Sequence, residues 1–152
     1  MPRTDFKFAW PFRVRYSEVD SQKIVFNSHY LTYYDTAITE YFRALPYDYM
    51  EQVDHTGQDF HTVRTLVEYQ QPIEFDEDIE VHVRISRLRR SSLTFLFEIH
   101  PEGKEDLRAT GEVVWVNTDQ TTHKSAAVPQ DLVDKMVAFE GELLEYLTSS
   151  IQ

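Results

Sequence analysis

From Tyr30 to Leu45 the apolar residues Tyr30, Tyr34, Ala37, Ile38, Tyr41 and Leu45 recur every three or four positions, and Pro46 ends the pattern. This is the period of one buried helix face, and either Asn27 or Ser28 supplies a residue type suited to cap its start. After this helix the period changes to two, or to unbroken apolar runs, over residues 60–70, 79–88, 93–100 and 107–117, which predicts four strands. Before it, residues 8–16 mix aromatic and β-branched side chains with alternating Arg13 and Arg15, the pattern of an opening half-buried strand. Turn signals fall at Pro72 with Phe75-Asp76-Glu77-Asp78, at Arg89-Arg90-Ser91-Ser92 and at Pro101-Glu102-Gly103-Lys104, so hairpin-length connections join three of the four later strands. Residues 47–57 read as irregular. Pro129 suits the first turn of a closing helix that carries Leu132, Val133, Met136 and Val137 and extends through Leu143, Leu144 and Leu147. The order β-α-β-β-β-β-α predicts an α+β domain, one long helix packed on an antiparallel sheet.

No repeat, low-complexity tract or linker divides the chain, so residues 1–152 are read as one domain. At this length about 70% of the unfolded surface is buried on folding, enough for a core without disulfides or metal. With no cysteine, thiolate metal sites and a cysteine nucleophile are excluded, and a reducing compartment, the cytoplasm, is expected. The first residues lack the apolar core of a signal peptide and no window approaches the ~18 uncharged apolar residues of a membrane span, so neither secretion nor membrane insertion is expected. The formal charge of −11 repels a phosphate backbone and argues against nucleic-acid binding. Arg84, Arg87, Arg89 and Arg90 make a basic island in this acidic chain. It is either a solvated strand end and turn or a receptor for a compact anion such as a nucleotide phosphate.

Several standard chemistries are absent. Four glycines, at 57, 103, 111 and 141, cannot spell a phosphate-binding glycine loop, and there is no serine elbow or paired-histidine zinc motif. The six histidines, at 29, 55, 61, 82, 100 and 123, show no ligand spacing, so no metal is predicted. What remains is Asp20, in a polar loop ahead of the helix, where unpaired N–H groups and the helix dipole can stabilise a developing oxyanion. A carboxylate there can activate water as general base or attack as nucleophile to give a mixed anhydride, and spacing leaves both routes open. The same spacing fits an Asp that satisfies loop N–H groups, and Glu18 sits equally near. Among the aromatics Tyr30, Tyr33, Tyr34, Phe42 and Tyr47, which invite a reading as a ligand-pocket lining, Tyr34 falls with Tyr41 on the apolar stripe and both read as core, whereas Tyr33 and the strand residue Phe60 stand between core and pocket. His61 is a strand residue or a group near an acyl site.

Residues 14–45, VRYSEVDSQKIVFNSHYLTYYDTAITEYFRAL, resemble the signature of hotdog-fold acyl-CoA thioesterases of the 4-hydroxybenzoyl-CoA thioesterase and YbgC-like type. The match rests on Arg15-Tyr16, Asp20, Ile24-Val25-Phe26, Asn27, Tyr30, Ala37, Glu40 and Arg43. Later it extends to the run from Val67 to Ile73, then Asp78, Ser91-Ser92, Ala109-Thr110-Gly111-Glu112 and Val128-Pro129. The resemblance implies a hotdog fold, a five-stranded antiparallel sheet wrapped around one long helix with a C-terminal helix. It implies hydrolysis of an acyl- or aryl-CoA thioester, with Asp20 as the catalytic carboxylate and the backbone N–H of Asn27 or Ser28 as the oxyanion donor. YbgC-like members often carry His at the Asn27 position and a glycine pair at Gln22-Lys23, and this chain departs at both. Tyr33, Phe60 and His61 are the candidates for contact with the acyl group. The resemblance places Arg89, Arg90, Ser91 and Ser92 on a hairpin that approaches the nucleotide, and implies a CoA phosphate role for at least one of Arg87, Arg89 and Arg90. CoA enters as part of the substrate, and no separate cofactor is expected. A homodimer with one continuous sheet and its active sites at the interface is implied, or a tetramer made of two such dimers. A non-catalytic hotdog module that binds acyl-CoA or acyl carrier protein is the competing reading. A dehydratase of the same fold lacks its usual His motif here.

Overall fold

The computed structural model describes residues 5–146. The chain opens with β1 (Phe8–Arg13), makes a 3-10 turn (Tyr16–Glu18) and enters α1 (Ser28–Ala44). A shorter helix α2 (Tyr49–Thr56) leads into β2 (Gln58–Tyr69), then β3 (Asp78–Leu88), β4 (Ser92–Pro101) and β5 (Ala109–Asp119). Helix α3 (Gln130–Glu140) and a two-residue strand β6 (Glu145–Tyr146) close the described chain.

The sheet order is β1-β3-β4-β5-β2, with β6 paired in parallel to β3 and every other pairing antiparallel. Helix α1 lies on one face of this sheet. Its periodic positions bury Tyr30, Tyr33, Tyr34, Ala37, Ile38, Tyr41 and Phe42 against alternate residues of the central strands, Val81, Val83, Ile85, Phe95, Phe97 and Ile99. Tyr34 stacks on Phe97 at a centroid distance of 4.3 Å, and its hydroxyl donates to the Thr110 carbonyl at 2.9 Å. Gly111 lets this ring approach the sheet, for a Cβ there would meet Tyr34 Cε2 at 2.3 Å.

The structure corrects the sequence reading at three places. There are six strands among the described residues rather than five, since a two-residue strand gives no periodic signal. Residues 47–57, read as irregular, contain α2, which Asp48 caps by accepting the Glu51 N–H and Gly57 ends in the left-handed conformation. The closing helix stops at Glu140, where Gly141 (φ 70°) turns the chain. Leu143 and Leu144 therefore lie outside it, and Leu147 falls outside the described residues. β3, β4 and β5 follow one another as neighbours, but β2 lies beyond β5.

The two sheet edges differ. β1 is short and carries Pro11 at its centre, a residue tolerated on an edge. Between the end of β1 at Val83 and the start of β6 at Arg87, the Ile85 N–H faces a gap on the β3 edge. The buried Glu140 carboxylate fills it, accepting that N–H at 2.9 Å and the Tyr41 hydroxyl at 2.5 Å on the same oxygen. β2 is twelve residues long, contains no proline, and exposes nearly every side chain past Phe60.

Candidate active site

Asp20 stands in a tight loop that doubles back before α1. Its N–H donates to Ile24 O at 3.0 Å and its carbonyl accepts the Lys23 N–H at 2.9 Å. Lys23 takes φ 65° to close this turn. That is the left-handed conformation a glycine adopts freely, at the place where the resemblance puts a glycine pair. Val19 bridges Val25 and Ile24 bridges Glu74, so the loop is stitched to the segment ahead of β3. One Asp20 oxygen accepts the Gln22 N–H at 2.8 Å, and the residue is half-buried. Its other oxygen has no partner among the described residues.

Glu18, equally near in sequence, is disposed otherwise. It is 5% exposed, and both oxygens are engaged. Oε1 accepts the Tyr33 hydroxyl at 2.9 Å and the Arg15 N–H at 2.8 Å, while Oε2 accepts Arg15 Nε and Nη2 at 2.9 and 2.5 Å. Burial pushes this carboxyl up, but the hydrogen bonds from Arg15 and Tyr33 and the guanidinium charge outweigh it and hold the group below the usual carboxylate range. Glu18 is thus a locked anion, whereas Asp20 is bonded through one oxygen only.

At the α1 N-terminus Asn27 is the residue before the first turn, with helical backbone angles and no side-chain cap bond. His29 N–H donates to Phe26 O and Tyr30 N–H to Asn27 O, whereas the Asn27 and Ser28 amides find no acceptor among the described residues. Two unpaired N–H donors on exposed residues at the positive end of a 17-residue helix can receive an anionic oxygen.

A cavity of about 680 Å³ opens between the second half of α1, α2, β2 and β5. Phe42, Tyr47, Tyr49, Phe60 and Trp115 form its aromatic wall, with Phe60 and Phe42 roughly parallel to Trp115 at 5.5 and 6.0 Å. A smaller cavity of about 260 Å³ adjoins it, sharing Asp35 and Thr62. Burial pushes the Tyr47 hydroxyl up to about 12, so it stays protonated and donates to Gln52 Oε1 at 2.9 Å.

Not all predicted site residues meet here. Phe60 lines the cavity. Tyr33 does not: it is 2% exposed, in the core, and its hydroxyl is committed to Glu18. His61 follows Phe60 on the strand and therefore faces the other way, exposed, with Nε2 3.0 Å from Gln120 Nε2. At the β3–β4 turn Arg87 and Arg89 share Glu145 of β6 at 3.3 and 3.5 Å, and Arg90 is exposed. Ser91 and Ser92 are half-buried, and their carbonyls accept the Asn117 and Arg89 N–H groups. Arg84, the fourth member of the basic island, is buried on the sheet and donates to the Leu143 carbonyl at 3.2 Å. Glu18, Asp35, Tyr49, Trp115 and Glu145 were not singled out for these positions by the sequence. Only the nearness of Glu18 to Asp20 was visible there.

An antiparallel sheet packed on one principal helix is the architecture of the hotdog class. The chain belongs to the Thioesterase-like superfamily, whose family model matches residues 14–136. It is 30% identical over 127 residues to an acyl-CoA thioester hydrolase, YbgC, of Escherichia coli O6:H1, covering 83% of this chain and 92% of that one. Among solved structures it is similar to a thioesterase from Thermus thermophilus complexed with coenzyme A and Zn (TM-score 0.75, 27% identity, 91% of this chain and 97% of that one). A 1,4-dihydroxy-2-naphthoyl-CoA thioesterase from Synechocystis shares the fold (TM-score 0.79, 15% identity, 85% and 94% covered). These relatives make the chain an enzyme, a YbgC-like thioesterase.

Proposed function

We propose that the chain hydrolyses acyl-CoA thioesters to a free acid and CoA, with Asp20 as the acting carboxylate and the Asn27 and Ser28 amides as the oxyanion donors. The observation that carries this reading is the division of labour between two neighbouring acids. Glu18 is spent on Arg15 and Tyr33, while Asp20 is open beside a helix terminus with unsatisfied donors. As the tetrahedral intermediate forms, the thioester oxygen gains negative charge, which the helix amides stabilise. Asp20 takes the proton of the attacking water, or attacks the carbonyl carbon itself and leaves an anhydride for water. In either route the C–S bond breaks and CoA leaves as the thiol after protonation.

The enzyme acts in this reading as a dimer joined through β2, the long open edge. Ser28 and Phe42 are fourteen residues apart on α1, about 21 Å along the axis, so one chain's Asp20 and its aromatic cavity lie at opposite ends of the helix. Tyr30 near the start of α1 contacts Tyr69 at the end of β2, and Phe60 near the start of β2 walls the cavity with Phe42. A two-fold axis through the middle of an antiparallel β2 pair therefore carries the second copy's acid loop toward this cavity. The acyl group occupies the aromatic wall of one subunit while the other supplies Asp20, and the β3–β4 turn with Arg87, Arg89, Arg90, Ser91 and Ser92 offers donors to CoA phosphates.

The test is thiol release from acetyl, hexanoyl, palmitoyl, benzoyl, phenylacetyl and 4-hydroxybenzoyl-CoA by wild type and Asp20→Asn. The expected result is turnover of one acyl class by wild type and a loss of roughly 10²- to 10⁴-fold in kcat for Asp20→Asn with substrate binding retained. An Asp20→Asn enzyme with wild-type turnover overturns the assignment.

A further inference from the structure

We infer that Glu18 is a positioning residue for Asp20, holding the acid loop in register with the α1 amides through the Tyr33 hydroxyl; this rests on the reading of Asp20 as the acting carboxylate. A carboxylate buried to 5% exposure is costly unless its oxygens are satisfied, and here the satisfying groups come from both sides of the site. Arg15 binds it from the preceding turn through its side chain and its backbone N–H. Tyr33 binds it from α1, five residues past Ser28 and so about 7.5 Å along the helix from the amide donors. The Glu18 backbone finishes the arrangement, its N–H donating to Arg15 O at 2.9 Å and its carbonyl accepting the Phe26 N–H at 3.0 Å.

The Asp20 turn is thereby strung between two fixed points, Glu18 and Phe26. Phe26 immediately precedes Asn27, the start of the oxyanion donors, and the Tyr33 bond ties the other point to the same helix. Loop and helix move as one body as long as the Tyr33–Glu18 contact is intact. Without it, the loop is tied to the helix start only through its backbone bonds, of which Phe26 N–H to Glu18 O is the last before Asn27, and the proton acceptor can shift relative to the oxyanion donors. Misplacement by about 1 Å costs on the order of 10²-fold in rate, whereas contacts to CoA and the acyl group, which set ground-state binding, lie on the cavity and the β3–β4 turn.

The experiment compares wild type, Tyr33→Phe, Glu18→Gln, the double variant and Asp20→Asn on the best acyl-CoA of the panel, with CoA affinity and the thermal midpoint measured on each. Tyr33→Phe keeps the ring and removes one hydroxyl. It is expected to lower kcat roughly 10- to 100-fold with KM and CoA affinity within about twofold of wild type. Adding Glu18→Gln to Tyr33→Phe is expected to lower kcat by a smaller factor than Glu18→Gln alone does, because the two changes share the hydroxyl contact while the Arg15 bonds belong to Glu18 only. Wild-type kcat in Tyr33→Phe overturns the inference, and so does an activity loss that merely follows the unfolded fraction. If Glu18→Gln fails to fold, Tyr33→Phe alone decides. Asp20→Asn separates the two readings. If it retains wild-type turnover the carboxylate assignment fails, and if it is inactive while Tyr33→Phe is normal only the positioning role fails.

Discussion

At the scale of single residues, the most exacting constraint away from the acid loop is Gly111. A glycine inside a strand marks a close approach, and the approaching group is the Tyr34 ring, pinned by its stack on Phe97 and by its bond to Thr110 O. The ring has no direction in which to retreat, so Gly111→Ala is expected to destabilise the fold by about 1–3 kcal/mol, read as a lowered urea midpoint with an unchanged slope. An unchanged midpoint contradicts the packing argument. The core tyrosines Tyr34 and Tyr41 were legible in the sequence, because helical period carries that information, whereas loop position left Asp20 and Glu18 equally placed. Tyr33 was not, since its partner Glu18 lies fifteen residues away and periodicity says nothing about where a hydroxyl points. Lys23 shows the reverse: the departure from glycine was plain in the sequence, but only the backbone angle shows that the turn keeps the conformation a glycine would give.

Among elements, the contact of α3 with the β3 edge carries an ionic signature. Glu140 is 1% exposed, and burial pushes its carboxyl above the usual range despite the Tyr41 and Ile85 bonds and the nearby Arg84 and Lys7 charges. An acid whose folded-state pKa exceeds its unfolded value of about 4.3 costs the fold stability as pH rises from there through the folded value. Glu140→Gln cannot ionise, so its stability relative to wild type is expected to rise with pH over that window and to level off above it. Urea titrations at about pH 4.5, 6 and 8 check this, and a gap that does not vary with pH refutes it. The long helix and the four strands after it were readable because each spans several periods. α2 depends on a cap at Asp48 and a left-handed Gly57 across only eight residues, and β6 on two, so neither rose above the surrounding loop.

For the whole molecule, strand existence was readable but strand order was not, because alternation along a strand does not say which neighbour it takes. That β2 crosses to the far edge is what leaves it open, and the open edge is what the dimer reading requires. Val63, near the strand's midpoint, is 60% exposed, so Val63→Lys is expected to leave the subunit folded. Two copies facing each other across a two-fold axis would oppose like charges, so sedimentation should move from dimer toward monomer and hydrolysis should fall with it. A Val63→Lys protein that remains fully dimeric and active rules out this interface.

The blunted β1 edge bears on how such molecules crowd together. A sheet with two receptive margins can add neighbours at both and grow into a fibre. Here one margin is short, interrupted by Pro11 and plugged by the Glu140 side chain, which leaves, among the described residues, a single margin able to template a strand. In the dimer reading, edge-to-edge growth would stop at the first partner, so that a long exposed strand is kept without the hazard of polymerisation.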